Sequence, residues 1–187
     1  MLTINLKLDD SAARKLLARA PGVIQDAADA AVGWALTELE RAVKENISSP
    51  YAGMRSAVGS GVLLDAVYSE PKPSPAIGGI VDVHPPADTY AAAVEYGTAP
   101  HMPPVEALFG WVQHKLRIED RQESESIAWA IARTIEKRGT AGFHMFERAL
   151  DAYQDQIVQK VNTEIAQAVE KLNAEMVQSN GKSEPRQ

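Results

Sequence analysis

Glu95 is the residue with the clearest opening for proton transfer. It lies between Val94 and Tyr96, and a carboxyl group set among apolar side chains can be desolvated and poised as a general acid or base. The histidines are His84, His101, His114 and His144. Acid-base catalysis needs a second titrating group within reach, and no spacing in the chain supplies one for Glu95. Its expected role is therefore to cap a turn or to pair with an arginine. His101, close to prolines on both sides, is expected to hydrogen-bond backbone at a tight corner.

Other chemistries find less. The chain has no cysteine, which removes disulfides, thiolate nucleophiles and cysteine-ligated zinc together. No H-x-x-x-H or H-E-x-x-H pair exists, so no metal site is expected. Gly53 to Gly61 lacks the G-x-x-x-x-G-K-[ST] phosphate cradle, and Gly139-Thr140-Ala141-Gly142 runs into Phe143 with no lysine in place. There is no G-x-S-x-G. No catalytic residue and no cofactor follow from these residues, which leaves binding or assembly.

The 187 residues, 45% of them hydrophobic, predict one core. We expect a single α+β domain over 1–178 and a polar, disordered tail over 179–187. No window approaches the roughly 18 apolar residues of a membrane span, and the start lacks the pattern of a signal peptide, which predicts a chain made and kept in a cytoplasm. The net charge of −6 is uneven, because residues 61–104 carry one lysine against five acids. That balance argues against a nucleic-acid reader, which needs a concentrated basic patch.

The elements that must position these residues show in the periodicity. Leu2, Ile4, Leu6 and Leu8 alternate with polar residues as in a half-buried strand. Asp9, Asp10 and Ser11 then offer caps for a short helix carrying Leu16 and Leu17, ended by Pro21-Gly22. Ile24, Ala28, Val32, Ala35, Leu39, Val43 and Ile47 make a helical stripe of about six turns, part of it small enough for close approach. Ser48-Ser49-Pro50 closes it, and Tyr51 to Ser60 is a loop with Arg55 as its one basic residue. Val62 to Glu70 and Ile77 to His84 are expected strands, joined by the stiff Pro71–Pro75 connection, with a bulge or close backbone approach at Gly78-Gly79.

Tyr90 to Pro104 is expected to be a corner handing the chain from sheet to helices, with a turn at Gly97-Thr98. Pro103-Pro104 then start a helix striped by Val105, Leu108, Phe109, Val112 and Leu116, with Trp111 beside the stripe. Residues 117–126 read as a polar link. Ile127 to Ile135 define a further helix, stopped by Gly139, and Thr140-Ala141-Gly142 reads as a loop. The last helix, from Phe146 to Met176, spans about 30 residues and ~45 Å. It exceeds the ~16 Å radius of gyration of a compact chain of this size. Its stripe is expected to meet the Ile24–Ile47 helix or a neighbouring subunit.

The ordered set Val94-Glu95-Tyr96-Gly97-Thr98, His101-Met102-Pro103-Pro104, Leu108 with Trp111-Val112, Arg138-Gly139-Thr140 and Phe146 with Ala149-Leu150 resembles the tail-completion, or neck, proteins of long-tailed bacteriophages. That family shows A-x-x-V-E-[FY]-G-T, H-x-P-P, L-x-x-W-V, R-G-T and F-x-x-A-L in this order, and the likeness covers roughly residues 90–150. The chain departs from it at residues 52–61, where relatives carry T-G-x-L-x-x-S and this chain reads A-G-M-R-S-A-V-G-S-G.

The resemblance implies a small curved antiparallel sheet flanked by helices, in a structural virion protein that is not an enzyme and has no catalytic residues, cofactor or metal. It implies a homo-oligomeric ring, a hexamer by the family's tail architecture, at the head-proximal end of the tail, joining tail to capsid. The partners would be copies of itself, the tail terminator or tail-tube protein, and a head-closure or adaptor protein. DNA would pass an acidic channel without specific binding, and no membrane is involved. The protein would reside at the head-tail junction of the virion after assembly in the host cytoplasm. Tail terminator or head-closure ring protein is the alternative within assembly, and an acid-base enzyme using Glu95 and a histidine is the alternative outside it.

Overall fold

The apolar stripe that begins at Ile24 is buried along its whole length. Ile24, Ala28, Ala31, Val32, Ala35, Leu39, Val43 and Ile47 are all withdrawn from water in the computed structural model, which describes residues 2–7, 21–54, 56–73 and 75–181. They belong to α1 (Pro21–Ser48), a helix of 28 residues. Its opening proline lacks an N–H that a first turn would leave unpaired anyway.

The structure is mixed helix and sheet. Before α1 lies β1 (Ile4–Lys7). After it come α2 (Val62–Ala66), β2 (Val67–Pro71), β3 (Gly78–Val83), α3 (Asp88–Tyr96), β4 (Gly97–Thr98), α4 (Val105–Leu116), α5 (Arg121–Arg138), β5 (Thr140–Ala141) and α6 (Met145–Gly181). The described residues form six helices, a three-stranded sheet in the order β1-β3-β2, and a two-stranded ribbon of β4 and β5. β1 runs antiparallel to β3, with Ile4 opposite Val81 and Lys7 opposite Gly78. The expected helix carrying Leu16 and Leu17 lies outside the described residues, as do Arg55 and residues 182–187. None of the described helices is long and apolar enough to cross a membrane.

Four local expectations are corrected. The stretch Val62 to Glu70 is not one strand, because its first five residues are α2. Gly61, at φ 91°, turns the chain into that helix, and Leu63 and Ala66 share its buried face at a spacing of three. Residues 117–126 are mostly helix rather than link. The Asp120 carboxylate accepts the Glu123 N–H at 2.7 Å and starts α5 at Arg121. Thr140-Ala141, read as loop, is β5, and Gly97-Thr98, read as a turn, is its partner β4.

The β2–β3 hairpin keeps its proline-rich connection in water: Pro71, Pro73 and Pro75 are exposed. Lys72 N–H donates to the Gly78 carbonyl at 2.9 Å, and His84 N–H to the Ala66 carbonyl at 2.9 Å. A Cβ on Gly79 would press on Leu36 and lie 2.8 Å from the Glu70 carbonyl oxygen. Close approach, rather than a bulge, accounts for the glycine.

By its contacts the chain divides into two compact units. One comprises Met1–Thr3, Arg41–Tyr68 and Asp82–Ala149, and the other Ile4–Glu40, Ser69–Val81 and Leu150–Gln187. In the first, α4 and α5 pack around Val105, Val112, Ala128 and Ala132, with Leu108, Phe109, Ile127 and Ile131 against them. Alanines on α5 let the larger α4 side chains approach its backbone. In the second, Ile157, Val161 and Ala168 of α6 are buried, and the Lys160 ammonium sits 6.0 Å from the centroid of the Trp34 ring. α6 meets α1 within each unit, here through Trp34 and in the first through Asn46, whose amide donates to the Met145 carbonyl at 2.8 Å. At 37 residues, α6 is ~55 Å long, longer than its stripe alone predicts.

Candidate functional site

Helix α6 begins at Met145. Its first residues are Met145, Phe146 and Glu147, preceded by His144, whose carbonyl accepts the Arg148 N–H at 3.0 Å. The first N–H groups of a helix have no partner inside it. Glu95 supplies one from α3: Oε2 accepts the Phe146 N–H at 3.0 Å and Oε1 accepts the Glu147 N–H at 3.0 Å. The carboxylate thus takes the place of an N-cap side chain, where the helix dipole favours negative charge. Glu95 is only 1% exposed. Of the two roles expected, capping is realised, on a helix 51 residues away in sequence.

The main chain reinforces this contact. Val94 carbonyl accepts the Phe143 N–H at 2.8 Å, and Glu95 carbonyl accepts the His144 N–H at 3.0 Å. Immediately after, β4 pairs antiparallel with β5, Gly97 opposite Ala141 and Thr98 opposite Thr140. The two threonine hydroxyls lie 3.0 Å apart. Gly97 (φ 74°) and Gly139 (φ 69°) stand at opposite corners of the ribbon. A Cβ on Gly97 would strike the Thr140 carbonyl oxygen, and one on Gly139 the Thr98 carbonyl oxygen. Both conformation and space therefore demand glycine.

Six residues given no role by the sequence complete the knot: Asn46, Tyr51, Phe143, His144, Glu147 and Arg148. His144 adopts φ 51°, and its Nδ1 lies 2.7 Å from Glu147 Oε2. The Arg148 guanidinium donates to Asn46 Oδ1 at 2.8 Å and to the Phe143 carbonyl at 3.3 Å. It also lies 4.2 Å from the centroid of Tyr51, whose ring meets Phe143 edge-on at 5.8 Å. A polar Asn46 beside the apolar stripe of α1 was the one available signal. The partners of Tyr51, Phe143 and Arg148 are set through space and leave no spacing to read.

The remaining expected residues are placed around the knot or away from it. His101 Nδ1 lies 2.9 Å from the Ala99 carbonyl, as a backbone-holding corner residue would. Its N–H points to the Ile135 carbonyl at 3.4 Å, which also accepts Gly139 N–H at 2.8 Å. Pro103 and Pro104 lead into α4, with Pro104 as its cap residue. Trp111 on α4 is 42% exposed and covers Gly59, where a Cβ would lie 3.7 Å from its ring. One turn on, Lys115 Nζ donates to the carbonyls of Ser56 and Val58, both at 2.6 Å, and to Ser56 Oγ at 3.2 Å. Together they hold Ser56, Val58 and Gly59. Arg138 is exposed in the last turn of α5.

The arrangement ties the Glu95 carboxylate to backbone donors. Both Glu95 oxygens face N–H donors, and the ring nitrogen Nδ1 of His144 is engaged with Glu147. Among the described residues no group of three histidines or carboxylates is placed to hold a metal ion. Of the five acids in 61–104, Asp82 is also buried, accepting the Thr3 hydroxyl at 2.9 Å and the Val83 N–H at 2.8 Å. No protein-family model matches the chain, and neither a curated protein nor a solved structure does.

Proposed function

We propose that this chain is a structural component of a bacteriophage virion, of the tail-completion or neck type, acting by ring formation and docking at the head-tail junction. One observation carries the reading. Three of the motif pieces that resemble the family, Val94–Thr98, Arg138–Thr140 and Phe146, lie far apart in sequence but meet in one knot, through the Glu95 cap and the β4–β5 ladder. Short motifs that recur by chance have no reason to be physically joined. Engagement of Glu95 as a helix cap also supports a structural role over acid-base catalysis.

In this reading the two buried acids, Asp82 and Glu95, hold the fold. Asp65 and Glu70, both exposed, are then the side chains of residues 61–104 left to keep a DNA channel non-adhesive. The test is electron microscopy of particles assembled with and without the protein. Separate heads and tails are expected in its absence, and joined particles would overturn the proposal. Cross-linking to the tail-tube subunit or to a portal-proximal ring then assigns the layer, and distinguishes a terminator from a head-closure protein.

A further inference from the structure

The Lys115 ammonium on α4 is held by neutral oxygens. Nζ donates to the carbonyls of Ser56 and Val58, both at 2.6 Å, and to the Ser56 hydroxyl at 3.2 Å. An ammonium group carries three donors and no acceptor, so these three oxygens can take up all of its hydrogens. A surface lysine ordinarily lies in water or beside a carboxylate. Lys115 is half-buried, and what faces its charge is a set of carbonyl and hydroxyl dipoles.

The oxygens are brought together by contacts that do not involve the lysine. Ala57, between the two carbonyl donors of the set, gives its N–H to the Ile47 carbonyl at 2.8 Å. Ile47 is fully buried in the last turn of α1. On the other side of Val58, Gly59 lies against the Trp111 ring. The segment is thus anchored at Ala57 and at Gly59, and acceptors preorganised in this way bind a cation at lower cost.

The ligand set defines the cation that fits. Magnesium and calcium take oxygens at ~2.0–2.6 Å and draw on carboxylates, whereas the oxygens around Lys115 Nζ lie at 2.6 Å, 2.6 Å and 3.2 Å and carry no net charge. Uncharged carbonyl oxygens are the groups that replace the hydration shell of potassium in selective pores. The lysine head is likewise a compact monovalent point charge, unlike the planar fork of arginine. We infer that residues 56–58 form a site for a monovalent cation of the potassium or ammonium type, which the chain fills with its own Lys115. The site is independent of the neck reading.

The experiment compares the full-length parent with Lys115→Ala, in which the site is vacated, in tetramethylammonium chloride and in potassium or ammonium chloride at equal ionic strength. Amide exchange at Ala57 reads the segment directly. In tetramethylammonium chloride, Ala57 of the variant should exchange at least about tenfold faster than in the parent. Potassium or ammonium chloride should slow that exchange again by at least about threefold, saturating with concentration, while the parent responds to none of the three salts. The urea midpoint of Lys115→Ala should rise with the same salts. Lys115→Met, whose stem still occupies the path of the lysine, should exchange faster than the parent without recovering in potassium. Equal exchange of Lys115→Ala in all three salts, an equal salt response in the parent, exchange no faster than the parent's, or an equal recovery of Lys115→Met would overturn the site.

Discussion

The carboxylate of Glu95 accepts the backbone N–H of Phe146 at 3.0 Å, and with it the last residues of α3 fix where α6 begins. The contact is a helix cap delivered from another element, and it ties the motif V-E-Y-G-T to the motif F-x-x-A-L.

Removing that cap should be costly. Glu95→Ala loses two charge-assisted hydrogen bonds and leaves the Phe146 and Glu147 N–H groups without acceptors, a loss of ~2–4 kcal/mol. Glu95→Gln keeps one acceptor oxygen and should lose less. Urea denaturation measures both. Faster amide exchange at Phe146 and Glu147 in the alanine variant would locate the effect, and an alanine variant as stable as the parent would show that the cap is dispensable.

The ribbon depends on its corner glycines more than on its hydroxyls. Gly97→Ala and Gly139→Ala each combine a left-handed φ with a Cβ aimed at a carbonyl oxygen, and each should cost ~2–3 kcal/mol. Thr98→Val removes only the exposed threonine-threonine contact and should cost ~0.5 kcal/mol. The thermal midpoints should therefore rank parent, Thr98→Val, then the glycine variants.

Lys115 holds the 56–58 segment by its ammonium rather than its stem. Lys115→Met keeps much of the apolar length and leaves the Ser56 and Val58 carbonyls without that donor, a loss of ~1–3 kcal/mol. Hydrogen exchange should accelerate within residues 56–59 first. Unchanged exchange there would mean that Trp111 alone suffices to hold the loop.

The start of α5 is a local cap and should behave as one. Asp120→Ala removes the acceptor of the Glu123 N–H and should cost ~1 kcal/mol, while Asp120→Asn or Asp120→Ser should cost much less. Chemical denaturation of the three variants checks the order.

What was legible beforehand was whatever depends on neighbours three or four residues apart. The α1 stripe from Ile24 to Ile47 and most of the α4 stripe expected from Val105 to Leu116 were readable because a helix repeats its face at that spacing, although Leu116 at its end is exposed. The proline entry at Pro104 was readable for a similarly local reason. Val62–Ala66 misled because a short apolar run fits helix and strand equally, and Gly61 decides between them by its φ of 91°. Asp120 with Glu123 was a readable cap hidden in a charged run.

The sequence by itself determined the helical stripes, the proline and glycine boundaries, and the mixed helix-and-sheet class, since each follows from chain geometry within a few residues. Only the tertiary structure decided that Gly97-Thr98 pairs with Thr140-Ala141, that Glu95 caps α6, and that Tyr96 points to water. Ladder partners and distant caps are chosen by which backbone groups are left unpaired after the chain has packed. That choice is made through space, between residues 42 to 52 positions apart, and no local period records it.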